Sequence, residues 1–527
     1  MKKTLFVLFT GFVLLGSCKK VLDINQNPNQ PTAVTPNVVL SSALVTSGAS
    51  MAGFFPFSPS QNIENLNCWV GYWARSGNYQ PDVQTETYNI AHDYTDVFWT
   101  SMYTNLNDYD YIEKAGENLK TPFYVGVAKT MKAFNFAILV DVYNDIPYSD
   151  AFKVSNHVTT KYDKAQDIYT DLIKQLDSAI FYFEDAKNSF YPVAPSLTLT
   201  TDDKYDIIFG SSRIPLKVSG ATDFTDRMTE WEKFANTLEL KLLIHQSQAS
   251  GQQAFIQSQI QKIMTNGFGF LGAGEPVAVN PGYQSSTGKQ NPFYGEFYSS
   301  IGTPTATSQN YYRANTYAVN FYLSTNDNRG FLFYAPVGNT IVGNFEGDPK
   351  ALTNTATSAI GTGILKGNNQ DELLLSDFES LFLQAEAAQR GWISGSPQSF
   401  YEQAITQSYV YLYIGNSGLV GSNPTGDATS YYTSGINDVD WTASANKLEA
   451  IITQKWASLN GINWIEAWTD FRRTGIPNIP ITAAPTHLVP QIPVRYLYPQ
   501  VEFNTNGANV PQLPANAQFT SKIFWNQ

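Results

Sequence analysis

The sequence predicts a mainly α-helical protein, in which a scaffold of antiparallel helix pairs carries a loop-rich face with short strands. Three observations support this prediction. Apolar residues recur every three or four positions in most long segments, which is the spacing of an amphipathic helix. Short turns join several of these segments into pairs. Residues 268–370 lack this period and are rich in Gly, Asn, Thr, Tyr and Pro, which is typical of irregular chain.

The N-terminus, MKKTLFVLFTGFVLLGSC, has the three parts of a secretory signal. Lys2 and Lys3 precede an apolar run, and small residues follow it. The run is about half as long as the roughly 20 residues that a membrane-spanning helix needs. We therefore predict a signal peptide over residues 1–17. The polar, Pro-rich residues 18–36 are predicted to be a tether, and residues 37–527 a single domain.

The helices of this domain follow in order, and one of them has recognisable ends. Thr121 and Pro122 are a favourable N-cap and first-turn pair. Pro147 prevents the helix that they begin from continuing. We predict helices over residues 92–115, 121–143, 162–186, 231–250, 253–267, 376–392, 396–413 and 447–475, the last of these in two segments.

The helix pair near residue 390 indicates how such pairs pack. Ala385 in its first helix is predicted to face Tyr401 in the second, as in a tetratricopeptide hairpin. Stacked pairs of this kind share one continuous core. Glu386 and Arg390 are four residues apart, so we predict a surface ion pair between them.

Residues 268–370 form a long loop-rich insert between predicted helices. Its segments YAVNFYL and GFLFYAPV are predicted to be short strands or ordered loops. A loop excursion of this length in a large fold is usually functional. The Pro-rich tail, residues 476–527, is predicted to be mostly irregular.

The composition favours an uncharged, hydroxyl-rich ligand. Charged residues make up 15% of the chain, against roughly 25% in typical soluble domains. Aromatic residues make up 14%, and the formal net charge is −12. Because no basic run is present, we predict no nucleic-acid partner. Cys68 has only Cys18 as a possible partner and is predicted to be a small buried apolar residue.

No catalytic, cofactor or metal motif fits its context. GFGFLG matches a dinucleotide fingerprint by letter, but a predicted helix precedes it where a strand is required. DINQNPN begins like a calcium loop, but Pro28 stands where Gly is required. The four His form no zinc motif. We therefore predict no cofactor and no metal. A carboxylate pair for glycoside hydrolysis stays open, because its geometry is three-dimensional.

Aromatic and polar residues cluster in NCWVGYWARSGNYQPD and on the helix that follows. A flat ring can stack on the apolar face of a sugar, while Asn and Arg bond its hydroxyl groups. The alternative is that most of these rings belong to the core. The predicted ligand-binding residues are Trp69, Trp73, Arg75, Asn78, Tyr79, Trp99 and Tyr103.

Several motifs together resemble one family. The chain contains a WxxxY helix at Trp99 and Tyr103, and then NDIPYSDAF, WEKFANTLELKL, FLQAEAAQRGWI, IITQKWASLNG, EAWTDFRRTGIP and IPVRYLYPQVEFN. In this order they resemble the SusD/RagB family of Bacteroidota surface lipoproteins, in its SusD-like nutrient-binding branch. The resemblance runs over nearly the whole chain after the predicted signal.

The resemblance implies a tetratricopeptide-like fold and a binding protein rather than an enzyme. It implies an oligosaccharide ligand and, as partner, a SusC-like TonB-dependent barrel transporter that the protein covers as a lid. LGSC resembles a lipobox, which implies acyl chains on Cys18 and a lipid anchor at the cell-surface side of the outer membrane. The family resemblance also implies a fold-maintaining role for Arg472 and Arg473, which can stack on Trp rings and bond carbonyl groups.

Three other functions stay open at this point. The chain could be a secreted glycoside hydrolase, a peptide-binding member of the family, or a purely structural subunit of the same transporter complex. Sequence alone does not identify the nutrient.

Overall fold

The computed structural model describes residues 34–53, 63–153, 159–190, 205–210, 224–305 and 308–526. The predicted signal peptide, Cys18 and most of the predicted tether lie outside these residues. The first described helix begins at Pro36, which is the last residue of the predicted tether.

The described helices confirm a mainly α-helical scaffold. They are α1 (Pro36–Met51), α2 (Leu66–Trp69), α3 (Val83–Thr87), α4 (Asp96–Leu119), α5 (Pro122–Tyr143), α6 (Ala165–Asp185), α7 (Phe224–His245), α8 (Gln253–Asn266), α9 (Pro292–Phe297), α10 (Ser308–Tyr311), α11 (Thr316–Ser324), α12 (Gly330–Phe333), α13 (Asp377–Gln389), α14 (Pro397–Tyr413), α15 (Ser417–Val420), α16 (Pro424–Tyr432), α17 (Lys447–Ser458), α18 (Trp464–Thr474), α19 (Gln500–Asn506) and α20 (Ala517–Thr520). The strands are β1 (Trp73–Arg75), β2 (Val277–Val279), β3 (Tyr312–Ala314) and β4 (Glu372–Leu375).

The N-terminal half of the scaffold is built around α5. This helix packs against α4 and α6, α6 packs against α7, and α1 lies against α4. Within the part of the chain that the structure describes, α5 is the one helix that is long and apolar enough to cross a membrane. Its most apolar stretch is 83% buried inside the protein, which is typical of a core helix. Thr121 occupies the N-cap position without capping, because its hydroxyl donates to the Gly116 carbonyl at 3.3 Å.

The C-terminal half contains the predicted hairpin. Helices α13 and α14 pack together, and Ala385 and Tyr401 are both fully buried. The predicted surface ion pair is wrong in one respect, because Glu386 is only 1% exposed. Its carboxylate accepts hydrogen bonds from both Arg390 and Arg473. Although burial raises the pKa of Glu386, the two guanidinium groups lower it to about 2.

The other buried arginine of this region maintains the fold as expected. Arg472 stacks on the Trp468 ring, with its Cζ 3.4 Å from the ring centroid. It donates hydrogen bonds to the carbonyl oxygens of Asp141 at 2.6 Å and Val494 at 2.9 Å. These bonds join α18 to α5 and to the C-terminal tail.

The loop-rich insert differs from its prediction in two segments. YAVNFYL is helical and lies in α11, where the Asn315 side chain accepts a hydrogen bond from the Tyr317 N–H. Ala318, Val319 and Tyr322 are its buried residues and follow helical spacing. The GFLF of the second segment forms α12. Two short antiparallel strand pairs, β1 with β3 and β2 with β4, join the insert to the scaffold.

Candidate ligand-binding site

A cavity lies where the aromatic segment meets the loop-rich insert. The antiparallel pairing of β1 with β3 holds the two segments together, with Trp73 opposite Ala314 and Arg75 opposite Tyr312. The cavity has a volume of about 240 Å³. We call it the acidic cavity, and it is lined by Glu64, Asn65, Cys68, Arg75, Gln80, Asp82, Thr85, Tyr94, Glu296, Ser308, Tyr311, Tyr312 and Glu346.

Two tyrosine rings stand beside the acidic cavity. Tyr79 and Tyr311 meet edge to face, with ring centroids 5.2 Å apart, and both are partly exposed. Asn78 is exposed next to them, and its Oδ1 accepts a hydrogen bond from the Asn354 N–H at 2.7 Å. Gln80 is also exposed. This arrangement offers ring surface and hydrogen-bonding groups together, as a sugar-binding site requires.

The hydrogen bonds of Arg75 hold the segment that carries these residues. Its Nε is paired with the Glu86 carboxylate, and its Nη1 donates to the Tyr79 carbonyl at 2.6 Å. Arg75 is 5% exposed, so this pairing is shielded from water. The guanidinium therefore orients the Tyr79 loop and is not free to bind a ligand through the same groups.

Burial has a strong effect on two carboxyl groups of the cavity. It raises the pKa of Glu64 well above the usual range, because desolvation penalises the charged form. Burial raises the pKa of Glu346 in the same way, and the nearby Glu86 carboxylate raises it further. A positively charged ligand group would lower both pKa values.

The structure does not bring all seven predicted residues together. Arg75 lines the acidic cavity, and Asn78 and Tyr79 lie beside it. Trp69 and Trp73 instead lie in the core, at 1% and 0% exposure. The Trp69 ring stacks on Tyr496 at 5.3 Å, and its Nε1 donates to the Thr85 carbonyl. Neither tryptophan presents a ring face to solvent. Both therefore belong to the core, which was the alternative to a binding role, and we no longer place them in the site.

Trp99 and Tyr103 line a separate groove of about 420 Å³. We call it the α4 groove, because α4 carries both residues. Their rings lie 4.8 Å apart, but Trp99 is only 3% exposed and donates to the Glu502 carboxylate at 3.3 Å. Tyr103 is partly buried, and its hydroxyl donates to the Pro147 carbonyl at 2.7 Å. The groove thus has aromatic walls whose polar atoms already have partners.

A third cavity, of about 530 Å³, lies between α4, α5 and α6. Four of its charged groups pair with one another. Lys129 contacts Glu113 at 2.7 Å, and Lys132 contacts Asp110 at 3.0 Å. Asp163, Asp167 and Asp171 also line this cavity, so its carboxylates outnumber its lysines. Among the described residues there is also no cluster of three or more His, Cys, Asp or Glu that could hold a metal ion.

Comparison with known families decides what this scaffold is. A SusD-like family model, described as "Starch-binding associating with outer membrane", matches residues 28–499. The chain belongs to the SusD/RagB family. The resemblance of the sequence motifs is therefore confirmed. A comparison of this SusD-like chain with curated proteins finds no match.

Solved structures show the same SusD-like fold. A SusD homolog from Bacteroides fragilis is 20% identical, with a TM-score of 0.70, over 94% of this chain and 100% of the other. A SusD/RagB family protein from Bacteroides thetaiotaomicron is 18% identical, with a TM-score of 0.69, over 94% and 99%. A structure named as a chitin-binding protein is 22% identical, with a TM-score of 0.69, over 93% and 100%.

Sequence reasoning missed the residues that give the cavity its charge. Glu64, Glu296 and Glu346 come from three distant segments, and no spacing in the sequence connects them. Tyr311 stands in the YY of the insert, and a search for paired aromatic residues there could have found it. The length of the loop-rich insert is the other feature of the sequence that points to this site, because it predicts a functional role for residues 268–370.

Proposed function

We propose that this SusD-like protein is a cell-surface lipoprotein that captures oligosaccharides and delivers them to a SusC-like TonB-dependent transporter. It would act as the lid of that transporter and bind its ligand without transforming it. The family description, starch-binding associating with outer membrane, supports glycan binding. The observation that carries the proposal is the partly exposed Tyr79–Tyr311 pair beside an open polar cavity.

The ligand is expected at the mouth of the acidic cavity. The Tyr311 ring would stack on the apolar face of a sugar, and the exposed amides of Asn78 and Gln80 would bond its hydroxyl groups. The cavity is smaller than the roughly 300–1,000 Å³ that is common for drug-sized ligands. The cavity therefore suits one sugar unit, and the other units of the oligosaccharide would lie outside it, across the exposed residues Asn78 and Gln80.

Replacing Tyr311 with alanine is expected to weaken oligosaccharide binding about tenfold. Loss of one ring contact costs about 0.5–1.5 kcal/mol beyond the buried area, and 1.4 kcal/mol corresponds to a tenfold change in affinity. Isothermal titration calorimetry with starch-, cellulose- and chitin-derived oligosaccharides measures the change. Tyr432→Ala is the matched control, because Tyr432 is partly exposed on α16 and does not line the cavity. Equal affinities for the two variants would contradict the proposed site.

Replacing Cys18 with alanine is expected to release the protein from the outer membrane. The LGSC motif suggests acylation at this residue, and two or more acyl chains anchor a protein stably. Membrane fractionation followed by immunoblotting measures the distribution. Ser17→Ala is a control that leaves the cysteine in place. Membrane association that persists in Cys18→Ala would show that the anchor is something else.

A further inference from the structure

The acidic cavity has an unusual balance of charge. Four carboxyl side chains line it, and Arg75 is the one cationic side chain among the lining residues. Arg75 is already paired with Glu86, which stands behind the cavity wall. The lining carboxyl groups therefore share one cation, which partly offsets the rise that burial causes in the pKa of Glu346 but forms its ion pair with Glu86; they are Glu64, Asp82, Glu296 and Glu346.

Three deeply buried polar atoms of the lining have no hydrogen-bond partner. They are Oε2 of Glu64, Nδ2 of Asn65 and Oε2 of Glu346, on side chains of residues that are 4%, 4% and 6% exposed. A buried polar atom left unpaired costs about 1–3 kcal/mol. The other terminal atom of two of these side chains is hydrogen-bonded. Glu64 Oε1 accepts a hydrogen bond from the Tyr312 hydroxyl, and Asn65 Oδ1 accepts one from the Tyr496 hydroxyl. The residues that line the cavity thus hold two unpaired acceptors and one unpaired donor.

The carboxyl groups of Asp82 and Glu296 are less available to bind a ligand, because both already accept hydrogen bonds from the protein. Asp82 caps α3 by accepting hydrogen bonds from the N–H groups of Gln84 and Thr85. Glu296 accepts a hydrogen bond from the Ser308 hydroxyl at 2.6 Å. The unmet hydrogen-bonding capacity is therefore concentrated on the inner side chains, Glu64 and Glu346.

These features select the chemistry of the ligand. A bare metal ion requires several converging oxygen ligands, and the described residues contain no such cluster. A primary ammonium group carries three donors and one positive charge, so it can bond separate carboxylate oxygens. The lining includes no Leu, Ile, Val or Phe, and apart from the Cys68 thiol its uncharged groups are amides, hydroxyls and tyrosine rings. Such a wall suits a hydroxyl-rich ring better than the apolar side chains of a peptide.

We propose that the acidic cavity binds the protonated amino group of a hexosamine residue within a glycan, held between Glu64 and Glu346. This inference rests on the proposed function, because it names the class of glycan that the same site takes. Asn65 Nδ2 donates to a ring hydroxyl, and the Tyr311 ring lies beside the next sugar. A charge-assisted hydrogen bond is roughly twice as strong as a neutral one, so the amino group dominates selectivity.

The test compares three tetrasaccharides with the same β-1,4 linkage. The probes are fully deacetylated chitotetraose, N-acetylated chitotetraose and cellotetraose, titrated calorimetrically into the full chain in detergent micelles. We expect the amino sugar to bind at least about tenfold more tightly than the other two. Glu64→Gln and Glu346→Gln should each remove this preference, so that the amino sugar no longer binds more tightly than cellotetraose.

A control separates the cavity from the overall negative charge of the protein. Glu117→Gln makes the same charge change at an exposed position on α4 that does not line the cavity. It should keep the preference for the amino sugar. Because glutamine keeps the shape of glutamate and burial already disfavours the charged carboxylate at both positions, neither cavity variant should melt at a lower temperature. The second variant serves if the first does not fold.

The outcomes are distinct. Equal affinities for all three tetrasaccharides would overturn the hexosamine inference and leave the proposed glycan-binding function standing. Tighter binding of tetraalanine, through its N-terminal ammonium, than of the amino sugar would assign the cavity to peptides and overturn the inference. No heat with any sugar or with tetraalanine would overturn both the inference and the proposed function.

Discussion

Replacing Trp73 with alanine is expected to lower the free energy of unfolding by about 3–5 kcal/mol. The side chain is fully buried and packs among other aromatic rings. Its ring centroid lies 5.1 Å from that of Tyr312 and 5.9 Å from that of Phe297. Because rigid neighbours on the insert and on α18 surround it, the core cannot collapse into the space that the indole leaves. Urea unfolding followed by tryptophan fluorescence measures the change.

Tyr79→Ala is the matched control for this substitution. Tyr79 lies only six residues further along the same segment, but it is partly exposed. Its replacement should cost less than about 1 kcal/mol of stability, as for most exposed positions, and should weaken ligand binding. A small stability loss in Trp73→Ala together with lost ligand binding would return Trp73 to the site.

Arg473→Ala is also expected to lower the free energy of unfolding by about 3–5 kcal/mol. Arg473 donates to both carboxylate oxygens of Glu386, at 2.7 and 2.9 Å, and to Asp470 at 2.7 Å. These bonds link α18 to α13 inside the protein. Removing the guanidinium leaves two buried carboxylates short of positive charge, which costs more than the lost packing.

Arg390→Ala is the comparison for Arg473→Ala. Arg390 bonds the same carboxylate of Glu386, but its side chain is 18% exposed, so water can replace it. We expect a loss of about 1 kcal/mol or less. Equal losses for the two arginines would contradict the view that the buried pair holds the helices together.

Sequence patterns located the long helices because local chemistry fixes their ends. The predicted helix over residues 121–143 corresponds to Pro122–Tyr143, where Pro122 occupies the first turn. The error at YAVNFYL has a physical reason. Val, Phe and Tyr favour strands, but the Asn315 cap and a buried face with helical spacing decide in favour of a short helix.

The candidate site was harder to predict, because burial decides it. Trp73 and Tyr79 occur in the same aromatic segment, and composition alone does not distinguish the core ring from the exposed one. Glu64 and Glu346 come from distant segments, and both line one cavity beside the paired strands β1 and β3. Glu386 appeared to be a surface residue because its second partner, Arg473, lies on another helix.

A crystal structure of residues 19–527 with its tightest-binding oligosaccharide tests the central claim most directly. We predict a sugar ring against Tyr311, at the mouth of the acidic cavity, with Asn78 or Gln80 bonded to its hydroxyl groups. A sugar bound only in the α4 groove, beside Trp99 and Phe152, would contradict the account and move the site to the helical scaffold.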